Sequence, residues 1–442
     1  MAQSINQEFR TLSLLKFALP SMVMMIFMSL YTIIDGIFVS RLVGSNALSA
    51  INITYPFYTL LFAIGVMLAT GGSAIIAKNL GENKPQEARE HFTLFVLAAT
   101  IFSILISVIG ILFISPIVTL LGATPILKAD AIIYLKTLLF FAPACILQLL
   151  FQSYFVTASK PHLGLILTIC AGFTNAILDY IFMGPLEMGI KGAALATSIG
   201  QLIPAIFGLI YFTFINKELY FTRPRFDFSS LVQACANGSS EMVSNFSNAI
   251  VTFLFNLIMM QLLGEDGVAA ITIVLYGQFL FGALFLGFSM GVAPVISYNY
   301  GSQNTEQLKR VFRICMRFVT FFGIIITVTA LLTSSNLVGI FVPKTSRTYD
   351  IAAYGFSLFA LNYLFVGINI FASSLFTSLS NGKISAIISF TRTFVWIIIC
   401  LMILPKILGV TGVWLAIPIA ELITLFSSIY YLRQQKNTYH YI

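Results

Sequence analysis

Four side chains sit inside long apolar runs, where polar groups are costly. Asp35 lies four residues before the outer end of the first run and Asp179 about four before the outer end of the fifth, while Thr197 lies about five into the sixth. All three therefore share one depth. Asn175 precedes Asp179 by one helical turn and lies on the same helix face. An ionisable group at the centre of a bilayer costs roughly 3 kcal/mol, so each such residue is a functional candidate by default. Two carboxylates, an amide oxygen and a hydroxyl at matched depth can form an oxygen-lined cation pocket. If the carboxylates are close, their mutual repulsion lets the pair exchange a proton near neutral pH. The structural alternatives are an Asp35 solvated at the interface, an Asp179 bonded to a neighbouring helix and a Thr197 satisfying a backbone carbonyl.

The second half of the chain carries a different set. Arg392 in the eleventh run and Glu421 in the twelfth both fall near mid-depth, which predicts a structural ion pair between neighbouring helices. Glu241 lies nearer the inner end of the seventh run, either as a first negative charge for a cationic substrate or as a solvated carboxylate at a helix start. Asn248 and Asn256 in the seventh run, with Tyr276 and Gln278 in the eighth, are expected to face a watered cleft, because an amide in hydrocarbon is costly. Pro20 interrupts the first run and should bend it, as a moving element or a static kink.

These residues need a scaffold of spanning helices. The 442 residues are 58% hydrophobic and only 9% charged, with mean hydropathy +0.95, which excludes a water-soluble fold. Apolar runs of about 20 residues recur along the chain, each long enough for a hydrocarbon core of about 30 Å. Twelve are read, beginning near Ser13 and ending near Leu432. The net charge of +8 sits in short loops, where it reports orientation and not nucleic-acid binding. With the N-terminus inside, 16 of the 24 Lys and Arg fall on the inner side and seven outside, so both termini are expected in the cytoplasm. The five cysteines are scattered singly and are expected to be small core residues. The three histidines lie in loops or the tail, with no HExxH, GxSxG or phosphate-binding glycine loop, so no enzyme or primary pump is expected.

The chain also repeats itself. Displaced by 220 residues, the segment Arg41 to Phe92 matches its counterpart at 12 of 52 positions, including Gly44 on Gly264, Gly71 on Gly291 and Gly81 on Gly301. Each half has six spans, which gives an all-α polytopic protein of two pseudo-symmetric six-helix lobes about a central cleft, related by an axis along the membrane normal. Residues 1–215 form the first lobe and 229–442 the second, joined by a basic cytoplasmic linker, 216–228. The polar set Asp35, Asn175, Asp179 and Thr197 falls on Phe255, Val395, Ile399 and Ile417 in the other half. A cation site is thus expected in the first lobe alone.

The segment Asp35-Gly-Ile-Phe-Val-Ser-Arg-Leu-Val-Gly44 resembles the signature of the multidrug and toxic compound extrusion (MATE) transporters. Pro20, Asn175, Asp179, Thr197, the Gly238-Ser-Ser-Glu241 start of the seventh span and Gly412-Val-Trp-Leu-Ala-Ile-Pro418-Ile-Ala-Glu421 look like its bacterial branch. The resemblance implies a secondary antiporter in the cell membrane that expels bulky, often cationic or aromatic organic compounds in exchange for H+ or Na+. It implies no cofactor and no metal beyond a bound Na+, and a monomer is expected. A lipid-linked saccharide flippase of the same superfamily is the alternative. That activity would call for a cleft lined with cations, whereas carboxylates here outnumber the one intramembrane arginine.

Overall fold

A computed structural model describes residues 4–43 and 45–442. Gly44, which closes the signature segment, lies outside them, as do the side chains of Gly36, Ile37, Ser40 and Arg41. The described chain is mainly helical, with no strand among those residues. Among the described residues eleven helices are long and apolar enough to cross a membrane, and a bent pair makes a twelfth. The first six spans are Thr11–Leu42, Ser45–Gly81, Pro85–Leu112, the pair Lys128–Phe140 and Ala142–Thr157, Pro161–Met183, and Gly189–Ile210 with a π turn to Ile215. The second six are Phe228–Leu263, Glu265–Gly301, Thr305–Phe341, Arg347–Ser378, Gly382–Leu408 and Val410–Gln434. Long apolar side chains such as Leu105, Ile109, Phe321 and Leu332 remain exposed on the third and ninth spans, as a lipid-facing surface requires.

Local chemistry sets the ends of these helices. Pro85 and Pro161 open the third and fifth spans, where the missing N–H has no intrahelical partner to lose. The Asn304, Ser346 and Asn381 side chains accept bonds from the first-turn amides of the ninth, tenth and eleventh spans. Asp227 does the same for the seventh, where the helix-free segment 216–227 ends. Three features of the helices depart from the sequence reading. The fourth span is bent by 53° at Phe141, two residues before Pro143, and the tenth is interrupted at Ala360–Asn362 by a 3-10 turn. The eleventh contains a π turn at Thr391–Val395, which inserts an extra residue into the helix. Cys170 is exposed and Cys235 half-buried, so only Cys145, Cys315 and Cys400 are core residues.

The first span belongs to both halves. Its leading side chains Phe9, Leu14, Phe17 and Ala18 are wholly buried in a core made mainly of residues 251–441. Beyond Pro20, Phe27 packs instead against Gly172 of the fifth span, where a Cβ would stand 2.6 Å from the Phe27 ring. Where the two halves meet, at the end that carries the termini, glycines let backbone touch backbone. A Cβ on Gly81 would lie 2.1 Å from the Tyr298 carbonyl oxygen, and one on Gly301 would lie 2.1 Å from that of Lys78. Lys78 and Gly81 are the repeat partners of Tyr298 and Gly301, so the contact is reciprocal. Higher up, Gly71 meets the Ala234 carbonyl and Gly238 that of Met67, each at 1.9 Å from the built Cβ. The matched glycines Gly81 and Gly301 are therefore contact points of one seam.

Candidate functional site

Asp179 is wholly buried and neither of its oxygens has a hydrogen-bond partner. It faces Asp35 across the contact between the fifth and first spans, close enough for the two carboxyls to share a proton. One oxygen of Asp35 is likewise buried without a partner. An ionised carboxylate left in this condition is strongly disfavoured, so the pair requires a proton or a metal cation between its oxygens. Beside them the Asn175 amide donates to the Thr197 hydroxyl, Nδ2 to Oγ1, at 3.4 Å. The four residues expected from the sequence thus come together, and their hard oxygens suit H+ or Na+ equally. Small residues make the approach possible. A Cβ on Gly200 of the sixth span would stand 3.0 Å from the Ala171 carbonyl and 3.3 Å from the Asn175 Cβ.

Several residues of this site were not foreseen. Tyr134, buried on the fourth span, lies within electrostatic reach of both carboxylates. Asn175 and Thr197 also line a narrow cavity with Tyr31, Gln148, Thr168 and Gln201. Its polar walls are tied together: the Gln201 amide donates to the Tyr58 hydroxyl at 2.6 Å, and that of Gln152 to the Thr168 hydroxyl at 2.9 Å. A signal existed in the run Gln148 to Gln152, an i, i+4 amide pair inside a span. Tyrosines gave none, because they are ordinary packing residues.

In the second half, the Arg392 guanidinium stands 3.4 Å from Glu421, Nη1 to Oε1, in a nearly dry setting. The Asn369 amide donates to the other Glu421 oxygen at 2.7 Å and accepts from the Ser428 hydroxyl at 2.8 Å. Glu241 is half-buried and lies within electrostatic reach of Arg392. The remaining cleft candidates are dispersed. Asn248 is exposed, Asn256 and Gln278 each keep a buried oxygen without a partner, and the Tyr276 ring stacks on Phe341 of the ninth span at 6.1 Å. Pro20 lies within the first span, which keeps its contact with the second half beyond it, through Met22 in the core of that half and the Ser29 hydroxyl at 3.5 Å from the Phe279 carbonyl of the eighth span. Its replacement by Ala restores a backbone donor. Pro20→Ala is expected to stiffen the span and slow transport several-fold, read from spin labels placed either side of it; an unchanged label-distance distribution with full transport would leave Pro20 no part in the motion.

A single family model, MatE, matches this chain twice, over residues 20–181 and again over 242–402. The chain belongs to the MatE family. Among MATE relatives, the multidrug export protein MepA of Staphylococcus haemolyticus is 24% identical over 439 residues, covering 96% of this chain and 94% of that one. MepA of Staphylococcus saprophyticus is 24% identical over 440 residues with the same coverage. The fold is that of solved MATE structures. An outward-facing multidrug resistance MATE transporter superposes with a TM-score of 0.90 at 21% identity, over 96% of this chain and 95% of the other. A MOP superfamily transporter from Pyrococcus furiosus gives 0.89 at 20% identity, over 97% of each. The two matches of the MATE model divide the chain as the internal repeat does, and each contains one of the polar clusters described above except for its sixth-span member.

Proposed function

We propose that this chain is a multidrug efflux antiporter, exporting bulky, often cationic or aromatic organic compounds in exchange for H+ or Na+ by alternating access. The observation that carries the coupling is the Asp35–Asp179 pair, because a wholly buried carboxylate without a partner must gain a cation to be stable. In this reading the N-terminal six spans hold the coupling site, both termini are cytoplasmic, and the glycine seam closes the cytoplasmic side. Cation entry between the carboxylates cancels their repulsion and lets the first and fifth spans close, with Pro20 absorbing the bend. A monomer suffices, since each chain carries both halves. The multidrug export function of the MepA relatives supports efflux over the flippase alternative.

The test is reconstitution in vesicles, following a fluorescent organic cation under separately imposed pH and Na+ gradients. Wild type is expected to respond to one gradient, which names the ion. Asp35→Asn is expected to lose that response. Efflux indifferent to both gradients would refute antiport.

A further inference from the structure

The two halves can be aligned by their internal contacts as well as by sequence. In the first half the Gln152 amide meets the Thr168 hydroxyl at 2.9 Å, and in the second the Ser373 hydroxyl meets that of Ser389 at 2.7 Å. Both members of the second pair lie 221 residues after their counterparts, one more than the global repeat. In the sixth and twelfth spans the separation returns to 220, as Gly189 and Gly409 show by their shared positive φ of 57° and 58°. With these registers, Gln148, Ala171 and Gln201 correspond to Asn369, Arg392 and Glu421. All three N-terminal residues line the cavity beside Asn175 and Thr197. All three C-terminal residues form the buried cluster of guanidinium, carboxylate and amide.

We infer that Arg392 is a tethered cation, its guanidinium filling the C-terminal counterpart of the cavity that adjoins the N-terminal cation site, with Glu421 and Asn369 as its ligands. The inference deepens the coupling reading above and rests on it. The Arg392 side chain is 12% exposed and that of Glu421 4%, and the Arg392 Nε has no partner, so the head group is held by its charge more than by a full set of bonds. The π turn that carries Arg392 moves it out of plain helical register at the place where the other half has Ala171. A half whose cation is covalently attached stays loaded through the whole cycle. A mobile ion can then act only on the other half, which explains why the paired carboxylates occur once.

The experiment uses purified full-length protein in an Asp35→Asn, Asp179→Asn background, which silences the N-terminal site. Thermal stability is followed against guanidinium chloride at low millimolar concentration and against NaCl, each compared with choline chloride. Arg392→Ala is expected to gain a saturable rise of about 2 °C with guanidinium or Na+. The parent with Arg392 intact should show none, and Arg392→Ala with Glu421→Gln should lose it. A folded Arg392→Ala protein with no cation response overturns the inference. Should Arg392→Ala fail to fold, the parent alone decides. A saturable cation response there, abolished by Glu421→Gln, overturns the tethered-cation reading, and its absence supports it. Failure of the coupling reading shows separately, as gradient-driven efflux that survives Asp35→Asn in protein with Arg392 in place.

Discussion

Asp179→Asn is expected to stop ion-driven efflux while leaving the fold as stable as before, or more so. The substitution keeps shape and volume but removes the charge that a cation must neutralise. The proton shared with Asp35 can be replaced by the amide, which donates to the Asp35 carboxyl. Removing the charge also removes its desolvation cost, which offsets any loss of fit. Transport should respond in the opposite direction. Coupling energies between two ligands are typically about 1–3 kcal/mol, so loss of the shared site should lower gradient-driven efflux by about 5- to 150-fold. Thermal unfolding and vesicle efflux measured on the same preparation separate the two effects. A variant that is clearly destabilised but still coupled would assign Asp179 to the structure of the helix pair instead.

The glycine seam predicts the second large effect. Gly81→Ala places a methyl group 2.1 Å from the Tyr298 carbonyl oxygen, and Gly301→Ala does the same to that of Lys78. Neither oxygen belongs to a flexible side chain, so the helices themselves must separate. Overpacking of this kind costs roughly 1–3 kcal/mol and falls only on the state in which the seam is closed. Each variant should therefore shift the population by about 5- to 150-fold toward the state open at the end that carries the termini. Probes on Glu82 and Ser302, in the two turns that follow these helices, should read a longer mean distance. Gly282→Ala, where a methyl group meets nothing within 4 Å, should leave that distance alone. Equal distances in all three variants would mean that the seam does not govern the closed state.

Much of this architecture was legible from residue types alone. The spans follow from apolar length, and the repeat from matched glycines such as Gly81 and Gly301. Asp35, Asn175, Asp179 and Thr197 could be grouped because charge in hydrocarbon is costly and helical spacing fixes a face. The Arg392–Glu421 pair followed from the same cost. What stayed hidden depends on geometry that spacing does not encode. The bend at Phe141 has its proline two residues later, in a stretch that reads as one span. The repeat spacing is already 221 at Gln152 and Ser373, before the π turn at Thr391–Val395, so a uniform repeat of 220 sets Arg392 opposite Gly172 and conceals its match to Ala171. Tyr134 and Gln201 join the site through contacts between spans far apart in sequence. The seam glycines were visible, but their meaning required the opposing carbonyls.

The passage of the first span from one half to the other also sets the mechanics of the cycle. Phe9 is anchored in the core of the second half, and Phe27 bears on the fifth span of the first. The helix that follows Phe9 is a strut that bears on both bodies, since Ser29 near Phe27 also reaches the Phe279 carbonyl of the eighth span. A stiff strut would carry any rotation of one body straight into the other, and a jointed one lets them turn independently. In the cycle proposed above Pro20 serves as the joint, and the carboxylate proposed to meet the cation rides on the same arm.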